Sequence, residues 1–137
     1  MIEIADHAQV SRATLYNHYR DKKSVLNALI TAEVARLITL ANSAGTPADA
    51  LEKLSVEISS DSALAAMRIH DRELLMQILT RSENPLYLSL AQRIYAATKS
   101  EAGTGLAMHW LLGQVVQPIT TKQSREQAEL LVERTLF

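Results

Sequence analysis

The 137-residue sequence contains no cysteine. That excludes disulfides, a thiolate zinc site and a cysteine nucleophile. Glycine and proline are scarce, at four and three, so the chain has few natural places to break. Aromatic residues make up only 4%, and neither sign of charge is in excess: 14 basic against 15 acidic residues, net -1. Bulk charge therefore does not make this a binder of polyanions. There is no N-terminal signal pattern, and no apolar run reads as long enough to span a bilayer. The expectation is a soluble, cytoplasmic protein with no membrane partner. Catalytic signatures are missing too: there is no nucleophile elbow, no phosphate-cradling glycine loop and no HExxH pair. His7, His18, His70 and His109 sit singly. Asp6 beside His7 and Asp71 beside His70 are adjacent in sequence, and adjacent helical residues point about 100° apart, so neither pair is a natural chelate. No enzyme, metal site or cofactor is expected.

What is present is 47% apolar residues, enough for one core or for a small head on one core. The organising stretch is IEIADHAQVSRATLYNHYRDK, Ile2 to Lys22. A short apolar-periodic segment carries Ile4, Ala5 and Ala8. Gln9-Val10-Ser11 breaks it, and a second short helix runs from Arg12 to Tyr19 with Leu15 pointing inward. This is the layout of a helix-turn-helix. The Ser11 hydroxyl can accept from a free N–H in the first turn of the second helix. Arg12, Thr14, Tyr16, Asn17 and His18 remain outward, as donors and an aromatic suited to phosphates and base edges. Arg12, Arg20, Lys22 and Lys23 gather a local basic cluster around them.

The run AQVSRATLYNHYRDKKSVLNALI, through the combination Val10-Ser11, Thr14-Leu15-Tyr16, His18-Tyr19 and Lys22, resembles the DNA-binding segment of TetR/AcrR-type transcriptional regulators. The close match covers roughly the first thirty residues. The resemblance implies phosphate contacts from Ser11, Thr14, Tyr16, His18 and Lys22, base contacts from Arg12 and Asn17, and an inward Tyr19. It further implies a homodimer joined through its last two helices, bound to a near-palindromic double-stranded DNA operator. The expected role is a repressor that a small apolar effector releases. Two departures stand out. Members of the family carry a further helix ahead of the motif, which here begins within a residue of Met1. Gln9 also occupies a turn position where glycine is common, and a left-handed conformation there costs a non-glycine residue about 1–2 kcal/mol. These departures keep an alternative open: a helical ligand-binding or dimerisation module with a truncated, non-functional head.

An all-α fold is expected throughout, with the head at 1–22 and an effector-binding and dimerisation core at 23–137. Asp21 can cap a helix whose apolar positions Val25, Leu26, Leu29, Ile30, Val34, Leu37, Ile38 and Ala41 keep 3–4 spacing to about residue 43, roughly 33 Å of rod. Gly45 stops it. Thr46-Pro47-Ala48-Asp49 reads as a cap, a proline at the first helical position and an acid in the first turn. Leu51, Leu54 and Ile58 form that helix's inner face, and residues 59–62 are a polar break. The next helix starts near Ala63. His70-Asp71-Arg72-Glu73 either breaks it, with Asp71 as a new cap, or drives polar groups inward. Asn84-Pro85 opens a helix to about Lys99, which Gly103 and Gly105 end. Residues 106–116, centred on Trp110, have no polar face and read as buried on both sides. Ser124-Arg125-Glu126-Gln127 reads as a capping box for the last helix. Met67, His70, Met76, Tyr87, Tyr95, Met108, His109 and Trp110 join adaptable or aromatic bulk to hydrogen-bonding tips, the make-up of a ligand pocket. Taken singly, each is equally a core-filling or surface residue.

Overall fold

Asp21 accepts from the Ser24 N–H at 2.8 Å and opens the first long helix, α1, Lys22–Asn42. The computed structural model describes Asp6, Ala8, Gln9, residues 21–80 and residues 85–135. Among these residues every regular element is helical. After α1 come α2 (Pro47–Ser60), α3 (Ser62–His70), α4 (Arg72–Leu79), α5 (Pro85–Thr98), α6 (Glu101–Val116) and α7 (Thr121–Thr135). The chain divides into two units, Met1–Ala35 and Arg36–Phe137. α1 runs through both.

In the first unit, Val25 of α1 is buried. Over Ser24–Asn42 the helix has a mean hydropathy of 1.5 and is long and apolar enough, by length and composition alone, to cross a membrane. This corrects the expectation that no such run exists. The segment is not continuously apolar; Glu33 and Arg36 interrupt it, and the excess appears only as an average. A core helix in a soluble protein passes the same test, and Arg36 is engaged with Glu57 at 2.9 Å.

In the second unit α2 is the hub, packing on α5, α6 and α7. Its boundaries follow from local chemistry. Thr46 accepts from the Asp49 N–H at 3.1 Å, and Pro47 occupies the first turn, where its missing N–H costs nothing. Ala50, Leu51, Leu54, Ser55 and Ile58 form its buried stripe. The four apolar ones meet Leu37 and Ala41 of α1, Ile94 of α5, Ala107, Met108 and Leu111 of α6, and Ala128 of α7 in one core. Burying each leucine here contributes about 2 kcal/mol.

Two arginines tie up helix C-termini, whose last carbonyls have no partner within their own helix. Arg93 of α5 donates from Nη2 to the Ala41 carbonyl at 2.8 Å and from Nε to Asn42 Oδ1 at 2.5 Å. Arg68 of α3 donates to the Val115 carbonyl of α6 at 2.7 Å. Otherwise α3 contributes no fully buried residue and α4 only Leu75.

Four boundaries sharpen or overturn the sequence reading. The tract at His70 does break the helix: Asp71 ends α3 and caps α4, accepting from Leu74 N–H at 3.4 Å. The polar break after α2 narrows to Asp61, which accepts from Leu64 N–H at 2.8 Å and caps α3. Gly103 and Gly105 do not end a helix; they lie inside α6, which Ser100 caps by accepting from the Gly103 N–H at 2.9 Å. The left-handed residue that closes α5 is Lys99, with φ 58°. A lysine took the conformation that sequence reasoning assigns to glycine. The capping box of α7 lies four residues earlier than expected. Thr120 Oγ1 accepts from Gln123 N–H at 3.1 Å while Gln123 Oε1 accepts from Thr120 N–H at 3.0 Å, the reciprocal pattern of T-x-x-Q. Ser124 is buried instead.

Candidate DNA-binding segment and helical core

Within the N-terminal unit, the turn at Gln9 is left-handed, with φ 59°, and its N–H donates to the Asp6 carbonyl at 3.2 Å. The corner is therefore built as the glycine position of the motif demands, at a cost of about 1–2 kcal/mol for a residue with a Cβ. Lys22 is exposed at the first position of α1. Ser11, Arg12, Thr14, Tyr16, Asn17 and His18, expected to face DNA, lie outside the described residues, as do Leu15 and Tyr19.

The eight candidate ligand residues are spread over the core. Met108 is buried in the main cluster, with Tyr87 and Trp110 packed against it. Burial raises the Tyr87 phenol above its usual pKa of 10.0. Trp110 Nε1 donates to Gln127 Oε1 at 2.6 Å, joining α6 to α7. Met67 is half-buried on α3, while His70 at that helix's end and Met76 on α4 are exposed. His109 is exposed, and its Nδ1 donates to the Gly105 carbonyl at 2.9 Å. Tyr95, also exposed, lines an open groove of about 280 Å³ with Leu88, Ala91, Gln92, Glu101 and Thr104. A second groove of about 470 Å³ lies over the outer face of α2, with Leu40, Val56, Asp49, Glu52, Lys53 and Glu57 among its walls. Neither groove gathers the eight residues together.

Sequence reasoning missed a buried polar network at the junction of α2, α6 and α7. Ser55, Gln114 and Ser124 are all buried. Gln114 Oε1 accepts from Ser55 Oγ at 2.5 Å and from Ser59 Oγ at 2.8 Å. Ser55 has one proton and has given it to Gln114, so Ser124, 2.6 Å away, must donate to Ser55. Ser59 in turn accepts from the Ile119 N–H at 3.2 Å, and Gln114 Nε2 donates to the Trp110 carbonyl at 3.2 Å. No buried side-chain polar atom among the described residues lacks a partner. The signal was in the sequence: Ser55 falls within the Leu51, Leu54, Ile58 stripe, at an inward register.

Among the described residues the chain is all-helical, with a left-handed corner at Gln9 ahead of α1. Residues 1–29 match the family model described as bacterial regulatory proteins, tetR family, and the chain carries the N-terminal motif of that family of DNA-binding transcriptional regulators. No curated protein and no solved structure matches the chain.

Proposed function

We propose that this protein is a ligand-released repressor of transcription, acting in the cytoplasm as a homodimer on a near-palindromic operator. The family match over residues 1–29 carries the reading. Arg12 and Asn17 read base edges, while Ser11, Thr14, Tyr16, His18 and Lys22 hold phosphates. A small apolar effector taken up by the helical core shifts α1, which runs through both units. Met67, His70, Met76, Tyr87, Tyr95, Met108, His109 and Trp110 are the residues through which the core receives it. The chemistry is recognition rather than catalysis.

The dimer forms through α6 and α7. From Ala102 to Val116, α6 carries no charged residue, yet Leu106 and Val116 are 61% and 45% exposed. Leu130 adds an exposed apolar side chain on α7. An uncharged, outward-facing helix of this kind calls for a covering partner.

Binding to duplex DNA from upstream of the protein's own gene, followed by fluorescence anisotropy across a salt series, tests the proposal. A discrete site bound at least a thousandfold tighter than random duplex is expected. Equal affinity for both duplexes would overturn it.

A further inference from the structure

We propose that α3 is a gate: it unwinds from the core as a unit while α2 and α6 stay folded, and the bond from Arg68 to the Val115 carbonyl is its latch.

Burial singles this helix out. Among the described residues every other helix buries at least one side chain completely, and α3 buries none of its nine. α2, immediately before it, buries five. Ile69 is 70% exposed, and of the α3 side chains only the half-buried Leu64 packs against the main core cluster. In water, isolated helices shorter than about 12–15 residues are marginal. α3 therefore stays helical only while docked, and leaving the core and unwinding are one event.

Single-residue joints bound it. Asp61 stands between α2 and α3 with φ -64° and ψ 121°, and Asp71 between α3 and α4 with φ -147° and ψ 57°. Each serves its two helices with different groups. The Asp61 N–H closes α2 on the Ile58 carbonyl at 3.4 Å, while its carboxylate caps α3. The Asp71 N–H closes α3 on the Met67 carbonyl at 2.9 Å, while its carboxylate caps α4. α3 can thus unwind without uncapping either neighbour.

Between these joints, one hydrogen bond among the described residues crosses from α3 to α6: Arg68 Nη1 donates to the Val115 carbonyl at 2.7 Å. A charged donor makes such a bond roughly twice as strong as a neutral one. Val115 lies in the last turn of α6, where carbonyls have no partner in their own helix, so water can take the place of Arg68 once α3 leaves. Opening uncovers the part of the apolar core on which Leu64 packs. It leaves the Ser55, Gln114 and Ser124 network intact, because that network draws on α2, α6 and α7 alone.

Amide hydrogen exchange on the full chain tests the gate. Residues 65–70 should show protection factors at least about a hundredfold below residues 51–58 of α2 and 107–114 of α6. Their exchange should respond weakly to low urea, because a local opening exposes little surface, whereas exchange in α2 and α6 should rise steeply. Arg68→Met keeps an apolar stem and removes the donor. It should lower protection over 65–70 by about a further tenfold and leave α2 and α6 near the parent's values, with the helical circular dichroism close to the parent's. Protection over 65–70 equal to that of α2 in the parent chain would overturn the gate, whatever the variant does. No loss over 65–70 in Arg68→Met, or an equal loss in all three helices, would overturn the latch.

Discussion

Ser55 and Gln114, 59 positions apart in sequence, meet at 2.5 Å in the middle of an apolar core. The amide oxygen of Gln114 is the acceptor for both Ser55 and Ser59. Removing it leaves two hydroxyls without their acceptor, and each unsatisfied buried group costs about 1–3 kcal/mol. Gln114→Leu should therefore destabilise by about 2–4 kcal/mol in urea unfolding. Replacing the whole network, with Ser55, Ser59 and Ser124 changed to Ala as well, should recover most of that loss, because no polar group is then stranded. Equal midpoints for the single and the combined variant would show that the network is not coupled.

Arg93→Ala removes two bonds to the last turn of α1 and should cost about 1–2 kcal/mol. Arg93→Lys should recover less than half, because an ammonium on a flexible stem does not reproduce the planar fork that spans both acceptors. Slower hydrogen exchange at the end of α1 in the alanine variant than in the parent would contradict this account.

Tyr87 sets an alkaline limit. Burial raises its pKa above 10.0 in the folded chain, so the folded state holds this proton more tightly than the unfolded one. The contribution is fully present below pH 10 and is lost as pH rises through the folded-state value. Tyr87→Phe should flatten the fall in melting temperature above pH 10 while leaving neutral-pH behaviour close to the parent's. Among the four tyrosines, Tyr87 should ionise late in an ultraviolet titration of the folded chain.

Gln9 holds φ at 59°. Gln9→Gly relieves the Cβ clash, worth about 1–2 kcal/mol, against the greater chain entropy of glycine in the unfolded state. The net expectation is a head stabilised by about 0.5–1 kcal/mol, read as a rise in its local unfolding midpoint. A fall in that midpoint would mean the Gln9 side chain contributes something its backbone does not.

Lys22 tests the phosphate role. Lys22→Ala should weaken operator and random duplex by similar factors and reduce the slope of log affinity against log salt by about one. Arg12→Ala should narrow the gap between the two duplexes instead. A Lys22 variant that lost only the operator would reverse the two assignments.

How much was legible in the sequence follows the range of the physics involved. Caps and prolines act within four residues, so Asp21, Thr46-Pro47 and Asp71 could be placed from sequence, as could the inner face of α2 from its 3–4 spacing; on α1 the same spacing found Val25, Leu37 and Ala41, which are buried, but also Leu29, which is 61% exposed. The end of α5, expected at about Lys99, lies at Thr98; the residue that turns the chain there was missed. Lys99 holds a left-handed φ next to Ser100, which caps the following helix, whereas Gly103 and Gly105 lie inside α6. The capping box of α7 was found in kind and misplaced by four residues, since Thr120-x-x-Gln123 and Ser124-x-x-Gln127 look alike until one serine is buried. The candidate ligand residues were chosen by side-chain type, which does not say whether Met108 sits in the core or Met76 in solvent.

The sequence by itself determined the all-helical class, the N-terminal segment that matches a regulator family over residues 1–29, and the uncharged character of α6. Those are properties of composition and of spacing within one helix. Only the tertiary structure decided that Ser55, Gln114 and Ser124 share one buried network, that Arg93 and Arg68 close the ends of other helices, and which side of α6 is left outward. Each joins residues far apart along the chain, and no local periodicity encodes such a meeting.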